Sequence, residues 1–344
     1  MMRSLFSAVS GLRNNQTAMD VIGNNISNVN TTGFKASRTL FQDIFSQTLV
    51  AASPPTGTLG GRNPQQVGLG VTIGGIALDM TEGSTQSTSN PLDFAISGEG
   101  FFVVDMNGVL GRYVTNEDGD TVQAPYSNDS FVFTRAGALT LDADGYLVTQ
   151  NGHRVVGVLQ QFVEVDVESG TGEVTTEMRS ILDSAIDWET VMEPDSDLNV
   201  TFSQVRISGK GVPVKYLNEA GEVVEETVDL SNYKIDEKGF ITAMDEDGKT
   251  YTIGRLVLAT FPNAAGVEKI GQSYYRQSQN TGAVNINFAG EGRGVLKSGA
   301  LEMSNVDLAN ELTNMIITQR SFQANSRVIT TSDTMLEELI NLKR

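Results

Sequence analysis

Residues 304–344 read SNVDLANELTNMIITQRSFQANSRVITTSDTMLEELINLKR, a stretch without glycine or proline. Those two residues are the main breakers of regular helix, so this end of the chain is free to form one long helix. Leu308, Met315, Phe322, Ile329 and Leu336 recur every seven residues, and Leu312, Val328, Met335, Leu339 and Ile340 widen the stripe. That spacing predicts a helix with one apolar seam along its length. Ser304 or Asn305 is placed to cap its start, with Asp307 and Glu311 where negative charge suits a helix N-terminus. At ~1.5 Å per residue such a helix reaches roughly 55 Å.

The other end carries a matching pattern. Leu5, Leu12, Met19 and Ile26 recur every seven, with Ala8, Ile22 and Val29 at most of the second positions and Asn15 as the exception. All eight prolines lie between Pro54 and Pro262. From Met1 to Phe34 only Arg3, Arg13 and Asp20 are charged, and the remaining polar positions are Ser, Asn, Gln and Thr. A water-facing helix normally carries many Lys and Glu. Uncharged amides and hydroxyls suit contact with protein, because each finds a hydrogen bond without burial of a charge. The two terminal stripes are therefore expected to pair with each other in a coiled-coil-like arrangement and to contact further protein.

The middle reads as β-structure. Phe101–Val104, Phe131–Phe133, Leu147–Val148, Val155–Val158 and Leu256–Leu258 are short β-prone runs. Between them lie the turn pairs Asn107-Gly108, Asp118-Gly119, Asp144-Gly145, Asn151-Gly152 and Asp247-Gly248. The expected class is α+β: long paired terminal helices and mainly β middle domains, barrel- or sandwich-like. The expected divisions are a helical core from 1–45 and 300–344, an extended connector at 46–70, a β-rich domain from 71–158 and 232–299, and an inserted acidic, β-rich outer domain at 159–231.

The net charge is −18 over 344 residues, yet residues 1–45 and 300–344 cancel, so the acidity belongs to the middle. An acidic middle repels phosphate backbones and anionic lipid, which argues against nucleic acid and membrane as partners. No apolar run approaches the ~20 residues of a membrane span. The start has a basic residue, but Asn14, Asn15, Gln16 and Thr17 fall where the apolar core of a signal peptide would lie. Export, if it occurs, is expected by another route.

Catalytic motifs are not found. The single histidine, His153, sits beside a turn signal, and cysteine is absent, so histidine-rich or thiolate metal sites are excluded. Asp142, Asp144 and Gly145, and likewise Asp245, Asp247 and Gly248, lack the remaining ligands of a calcium loop and read as hairpin turns. Gly68-Leu69-Gly70, Gly209-Lys210 and the glycines of 290–294 lack the spacing of phosphate-binding loops. No catalytic, cofactor-binding or metal-binding residue is assigned.

Two segments carry a more specific signal. Asn24-Asn25-Ile26-Ser27-Asn28-Val29-Asn30-Thr31-Thr32-Gly33-Phe34-Lys35, preceded by Ser10-Gly11-Leu12, resembles the N-terminal motif of the bacterial flagellar axial proteins, the rod and hook subunits. Ser304 through Leu312, Met315-Ile316 and Gln319-Arg320-Ser321-Phe322-Gln323-Ala324-Asn325 resemble that family's C-terminal motif, and Ile96–Val104 its first β-domain. The resemblance covers about 1–158 and 232–344. It implies a structural, non-enzymatic subunit of the hook that polymerises into a curved tube and transmits torque. A distal rod subunit, or a secreted β-rich adhesin, are the alternatives. It further implies many copies of the chain itself, rod, hook-cap and hook–filament junction proteins and the flagellar export apparatus as partners, with export lacking a cleaved signal. Leu5, Leu12, Met19, Ile22, Ile26, Val29, Leu308, Leu312, Met315, Phe322, Ile329 and Leu336 are the expected assembly residues. Asn24, Asn25, Asn28, Asn30, Gly33, Phe34, Lys35, Gln319, Arg320 and Asn325 are the expected motif residues.

Overall fold

The computed structural model describes residues 2–55, 60–106, 113–115, 121–123, 131–168, 174–180, 182, 202–218, 222–245, 247–290 and 293–342. It divides into two compact units: Met1–Thr31, Lys35–Thr81 and Ser304–Arg344 form the first, Thr32–Phe34 and Glu82–Met303 the second. The class is mainly β with one helix at each end. The helices are α1 (Met2–Ser27) and α2 (Leu308–Leu342), the latter 35 residues long.

In the first unit, α1 packs along α2. Strand Ser37–Asp43 pairs antiparallel with Val71–Leu78 and lies against α1. Between them, Ser46–Val50 pairs with Gln65–Gly68, and Ser53 bridges Arg62. The 46–70 segment, expected as an extended connector, thus contains a two-stranded hairpin. Its proline and glycine pairs, Pro54-Pro55 and Gly60-Gly61, lie toward the hairpin tip rather than in its strands. Prolines there remove no ladder donor.

The second unit is built on an antiparallel sheet. Its strands run in the order Gly209–Leu217, Val223–Ile235, Phe240–Asp245, Thr250–Thr260, Arg154–Leu159, Phe101–Asp105, Phe131–Thr134, Tyr274–Arg276, Glu268–Gly271. Thr250–Thr260 pairs with both Arg154–Leu159 and Phe101–Asp105, which also pair with each other, so the sheet folds back on itself. The runs expected as strands are strands, because consecutive apolar residues are buried on both faces: Phe101, Phe102, Val103 and Val104 are all buried. Gly145, Gly152 and Gly248 have positive φ, as their turn pairs require. Asn107-Gly108 and Asp118-Gly119 include residues outside the described ones. So does much of 159–231, whose described residues include several strands, among them the hairpin Phe162–Glu168 with Val174–Ser180.

An ion pair is buried in this unit. Arg135 donates to the Glu302 carboxylate at 2.7 Å and to the carbonyls of Ile96, Gly98 and Gly100. The other oxygen of Glu302 accepts the Gly83 N–H at 3.0 Å. Both charged groups thus have further hydrogen bonds besides their mutual contact, the condition under which burial of opposite charges is tolerated.

Candidate assembly interface

The pairing of the terminal helices is antiparallel. Asn25 Nδ2 donates to Glu311 Oε1 near one end of the pair. Near the other end, a Cβ on Gly11 would lie 2.6 Å from Asn325 Nδ2, so glycine is what admits the asparagine there. In this register α2 beyond about residue 334 runs past the first residue of α1.

The face of α2 turned to α1 is a strict heptad seam, but only half of it is apolar. Met315, Phe322, Ile329 and Leu336 form one row, and Glu311, Thr318, Asn325 and Ser332 the other; all are half-buried or buried. Three members of the polar row have hydrogen-bond partners, and Asn325 fits against Gly11. The hydroxyls of Thr318 and Ser332 donate to the carbonyls four residues earlier in their own helix. Glu311 meets Asn25. On α1 the most buried positions are Ala8, Gly11, Ala18, Ile22 and Asn25, of which Ala8, Gly11 and Ala18 are small enough to let the helices approach. Leu5, Leu12, Met19, Ile26 and Val29 are half-buried around that line. The apolar count alone places the seam on those larger residues; the closest contact runs one position over.

Asn25 is the keystone of this unit and is 1% exposed. Its Oδ1 accepts the Ser37 N–H at 3.0 Å and its Nδ2 donates to the Ser37 carbonyl at 2.7 Å, as a strand neighbour would. One side chain therefore joins α1, the strand at 37–43 and α2. Burial pushes the Glu311 carboxyl above the usual carboxylate range; the Asn25 hydrogen bond opposes the shift and Asp307 adds to it.

Several of the remaining motif residues have identifiable tasks. Asn28 closes α1: its Nδ2 donates to the Asn24 carbonyl and its Oδ1 accepts from Thr31 Oγ1. Asn30 is exposed. Gly33, at φ +68°, donates its N–H to the Glu302 carbonyl. A Cβ there would lie 2.7 Å from the backbone of Arg135 and Ala136. Phe34 lies under the Lys269 ammonium, and burial lowers the Lys269 pKa. Lys35 is fully buried and donates to the Thr81 carbonyl at 2.7 Å. Gln319 and Arg320 are exposed, and Arg320 reaches Gln323.

The cap of α2 differs from expectation. Asp307, not Ser304 or Asn305, accepts the N–H groups of Ala309 and Asn310. Asn305 is occupied elsewhere, accepting the Ala36 N–H and donating to Asp79 and Thr81. The Thr81 N–H, bonded to Asp79, holds that carboxyl below its ordinary range.

The outer face of the pair is apolar and open. Leu308, Leu312, Ile316, Ile317, Val328, Met335, Leu339 and Ile340 are all exposed, Leu312 by 50% and Ile340 by 66%. On α1, Phe6 is 69% exposed. Exposed apolar surface of this extent marks a surface made for contact. Ile317 borders a cleft of about 240 Å³ lined also by Val21, Ile22, Phe41 and Asn314. Among the described residues no helix is long and apolar enough to cross a membrane.

Comparison with known proteins gives this open helix pair a context. Residues 5–35 match the family described as flagella basal body rod protein, 297–342 that of the flagellar basal body rod FlgEFG protein C-terminal, and 95–212 the flagellar hook protein FlgE/F/G D1 domain. These matches define the class: a structural protein of the bacterial flagellum. The chain is 37% identical over 346 residues to the flagellar basal-body rod protein FlgG of Bacillus subtilis, covering all of both chains. It is 32% identical over 464 residues to the flagellar hook protein FlgE of Borreliella burgdorferi, again covering both completely. It is 44% identical over 158 residues to the hook protein FlgE of Helicobacter mustelae, 46% of this chain and 31% of that one. The chain belongs to the flagellar hook and basal-body rod family, and is a structural subunit of that assembly.

Proposed function

We propose that the chain is a hook subunit, polymerising with its own copies into a curved, flexible tube that carries motor torque to the filament. The observation that carries this is the open apolar outer face of the α1–α2 pair, on a chain whose full-length relatives include hook proteins. In the tube the terminal helices pair in a coiled-coil-like manner and line the inner wall, and the acidic β-rich parts face outward. Contacts of this kind are heterologous and do not close, which yields a helical assembly. The expected assembly residues act there, with 159–231 as the outermost β-rich part. Rod, cap and junction proteins bind the tube's ends, and the subunit leaves through the flagellar export apparatus without a cleaved signal.

A second reading is the distal rod. A rod-named relative aligns over almost this chain's own length, whereas the Borreliella hook protein needs a much longer alignment. Deletion of the gene followed by imaging of basal bodies separates the two. A complete rod lacking its curved outer segment supports the hook subunit, and loss of the distal rod overturns it.

A further inference from the structure

The main sheet of the β-rich unit ends on Gly209–Leu217 at one side and on Glu268–Gly271 at the other. Among the described residues each has a strand along one side only, Val223–Ile235 and Tyr274–Arg276 respectively. Such an edge offers a row of N–H and C=O groups to any chain beside it. At nine residues, Gly209–Leu217 is the edge long enough to template a neighbour.

The hairpin fixes which of its groups point outward. The Asn218 N–H bonds the Glu222 carbonyl, so Asn218 faces the neighbouring strand. Residues of an antiparallel ladder alternate in direction, and the register runs unbroken from Leu217 opposite Val223 to Val212 opposite Val228. Val212, Val214 and Tyr216 therefore bond inward along the sheet, and Pro213, Lys215 and Leu217 turn their backbone groups outward. Proline has no N–H, so the outward row lacks the donor at 213. The ring there is exposed, between the buried Val212 and Val214, and the missing donor takes no bond from the unit itself. Lys215 adds a charge, paired with Glu225. On the other side of Pro213 the register slips between Gly209 and Val212, and the Gly211 N–H is taken by Asp229 Oδ1 at 2.7 Å. A bulge of this kind bends the strand away from a straight partner. The opposite edge is four residues long, slips between Lys269 and Gly271, and carries Glu268 and Lys269.

We propose that Pro213, with the bulge before it and Lys215 after it, blocks the addition of a strand from another copy, so that the β-rich units do not join edge to edge. The block matters in a chain that assembles, because copies held side by side meet at high effective concentration, where edge pairing would compete with the contacts of the helix pairs. It goes beyond the assembly reading and applies to a hook or a rod subunit alike.

The test opens the edge in the full-length chain. Pro213→Thr combined with Lys215→Thr restores the donor and removes the charge. Thr227→Val lies opposite Pro213 on the interior strand and adds a β-prone side chain without opening the edge. Self-association is followed by sedimentation over a concentration series, and its location by amide exchange. Two copies pairing across a twofold axis regain two ladder bonds, one from each, so the association constant of the edge-opened variant should rise roughly 30-fold. Its amides at positions 213, 215 and 217 should slow as it associates, while Thr227→Val behaves as the unaltered chain. An edge-opened variant that keeps its circular dichroism and associates no more than the unaltered chain overturns the proposal. So does equal association of Thr227→Val, or slowing confined to α1 and α2. If the double variant does not fold, Pro213→Ala, which restores only the N–H, is read against the same outcomes.

Discussion

Replacement of Asn25 by alanine tests the joint that holds the first unit together. The side chain is buried and makes three hydrogen bonds, two to the backbone of Ser37 and one to Glu311. At about 1 kcal/mol net for each, and with Ser37 half-buried so that water replaces part of the loss, Asn25→Ala costs about 2–3 kcal/mol. Amide exchange in α1 and α2 reports the local opening free energy of this unit, whatever the stability of the β-rich unit. Tenfold in exchange corresponds to about 1.4 kcal/mol, so protection across both helices falls roughly 30- to 140-fold. Asn25→Asp sharpens the argument. An ionised aspartate accepts from the Ser37 N–H but cannot donate to its carbonyl, and it sets a second carboxylate against Glu311. Its loss at neutral pH equals or exceeds that of alanine. Repulsion and burial raise its folded pKa, so stability is present below the unfolded value near ~4 and is lost as pH rises through the folded one. After correction for intrinsic exchange, protection in Asn25→Asp should recover partly toward pH ~4. A change under threefold in Asn25→Ala, or an aspartate variant insensitive to pH, would refute the assignment.

Three further outcomes are expected. Glu311 has a folded pKa raised by burial, so its contribution is lost as pH rises through the carboxylate range; the stability advantage of Glu311→Gln over the unaltered protein, read by amide exchange in α2, should grow over that range and then level off, and a constant difference contradicts it. Gly33→Ala combines a left-handed backbone with a Cβ against immobile backbone, about 3 kcal/mol, and lowers the melting temperature of the β-rich unit by roughly 6–12 °C; an unchanged melt contradicts the geometry. Arg135→Met leaves the Glu302 carboxylate buried without its cation and costs about 3–5 kcal/mol in urea unfolding, most of which Arg135→Met combined with Glu302→Leu restores; failure of the double variant to recover contradicts the ion-pair account.

Much of this fold is legible in the chain. The helical ends follow from the absence of proline, and of glycine too in 304–344, and one row of the α2 seam, Met315, Phe322, Ile329 and Leu336, follows from apolar periodicity. The other row does not. Glu311, Thr318, Asn325 and Ser332 are polar and read as a solvated face; they occupy the seam because Asn25 meets Glu311, the helix backbone takes the hydroxyls of Thr318 and Ser332, and Gly11 leaves room for Asn325, which only three-dimensional pairing reveals. The cap shows the same limit. Ser304, Asn305 and Asp307 all suit an N-cap, and the choice falls to Asp307 because Asn305 is held by Ala36, Asp79 and Thr81. The hairpin within 46–70 was masked by its polar, exposed strands, Ser46–Val50 and Gln65–Gly68, which carry no alternating pattern. Asn25 stands out in the motif, but its task comes from a strand twelve residues away.

The central claim is that copies of this chain associate through the open faces of their terminal helix pairs. Electron cryomicroscopy of polymer assembled from the purified protein tests it most directly. The account predicts a tube whose inner wall is made of α1–α2 pairs in mutual contact, with the β-rich units outside. A polymer whose subunits touch only through the β-rich units, leaving the outer face of α2 in solvent, would contradict it.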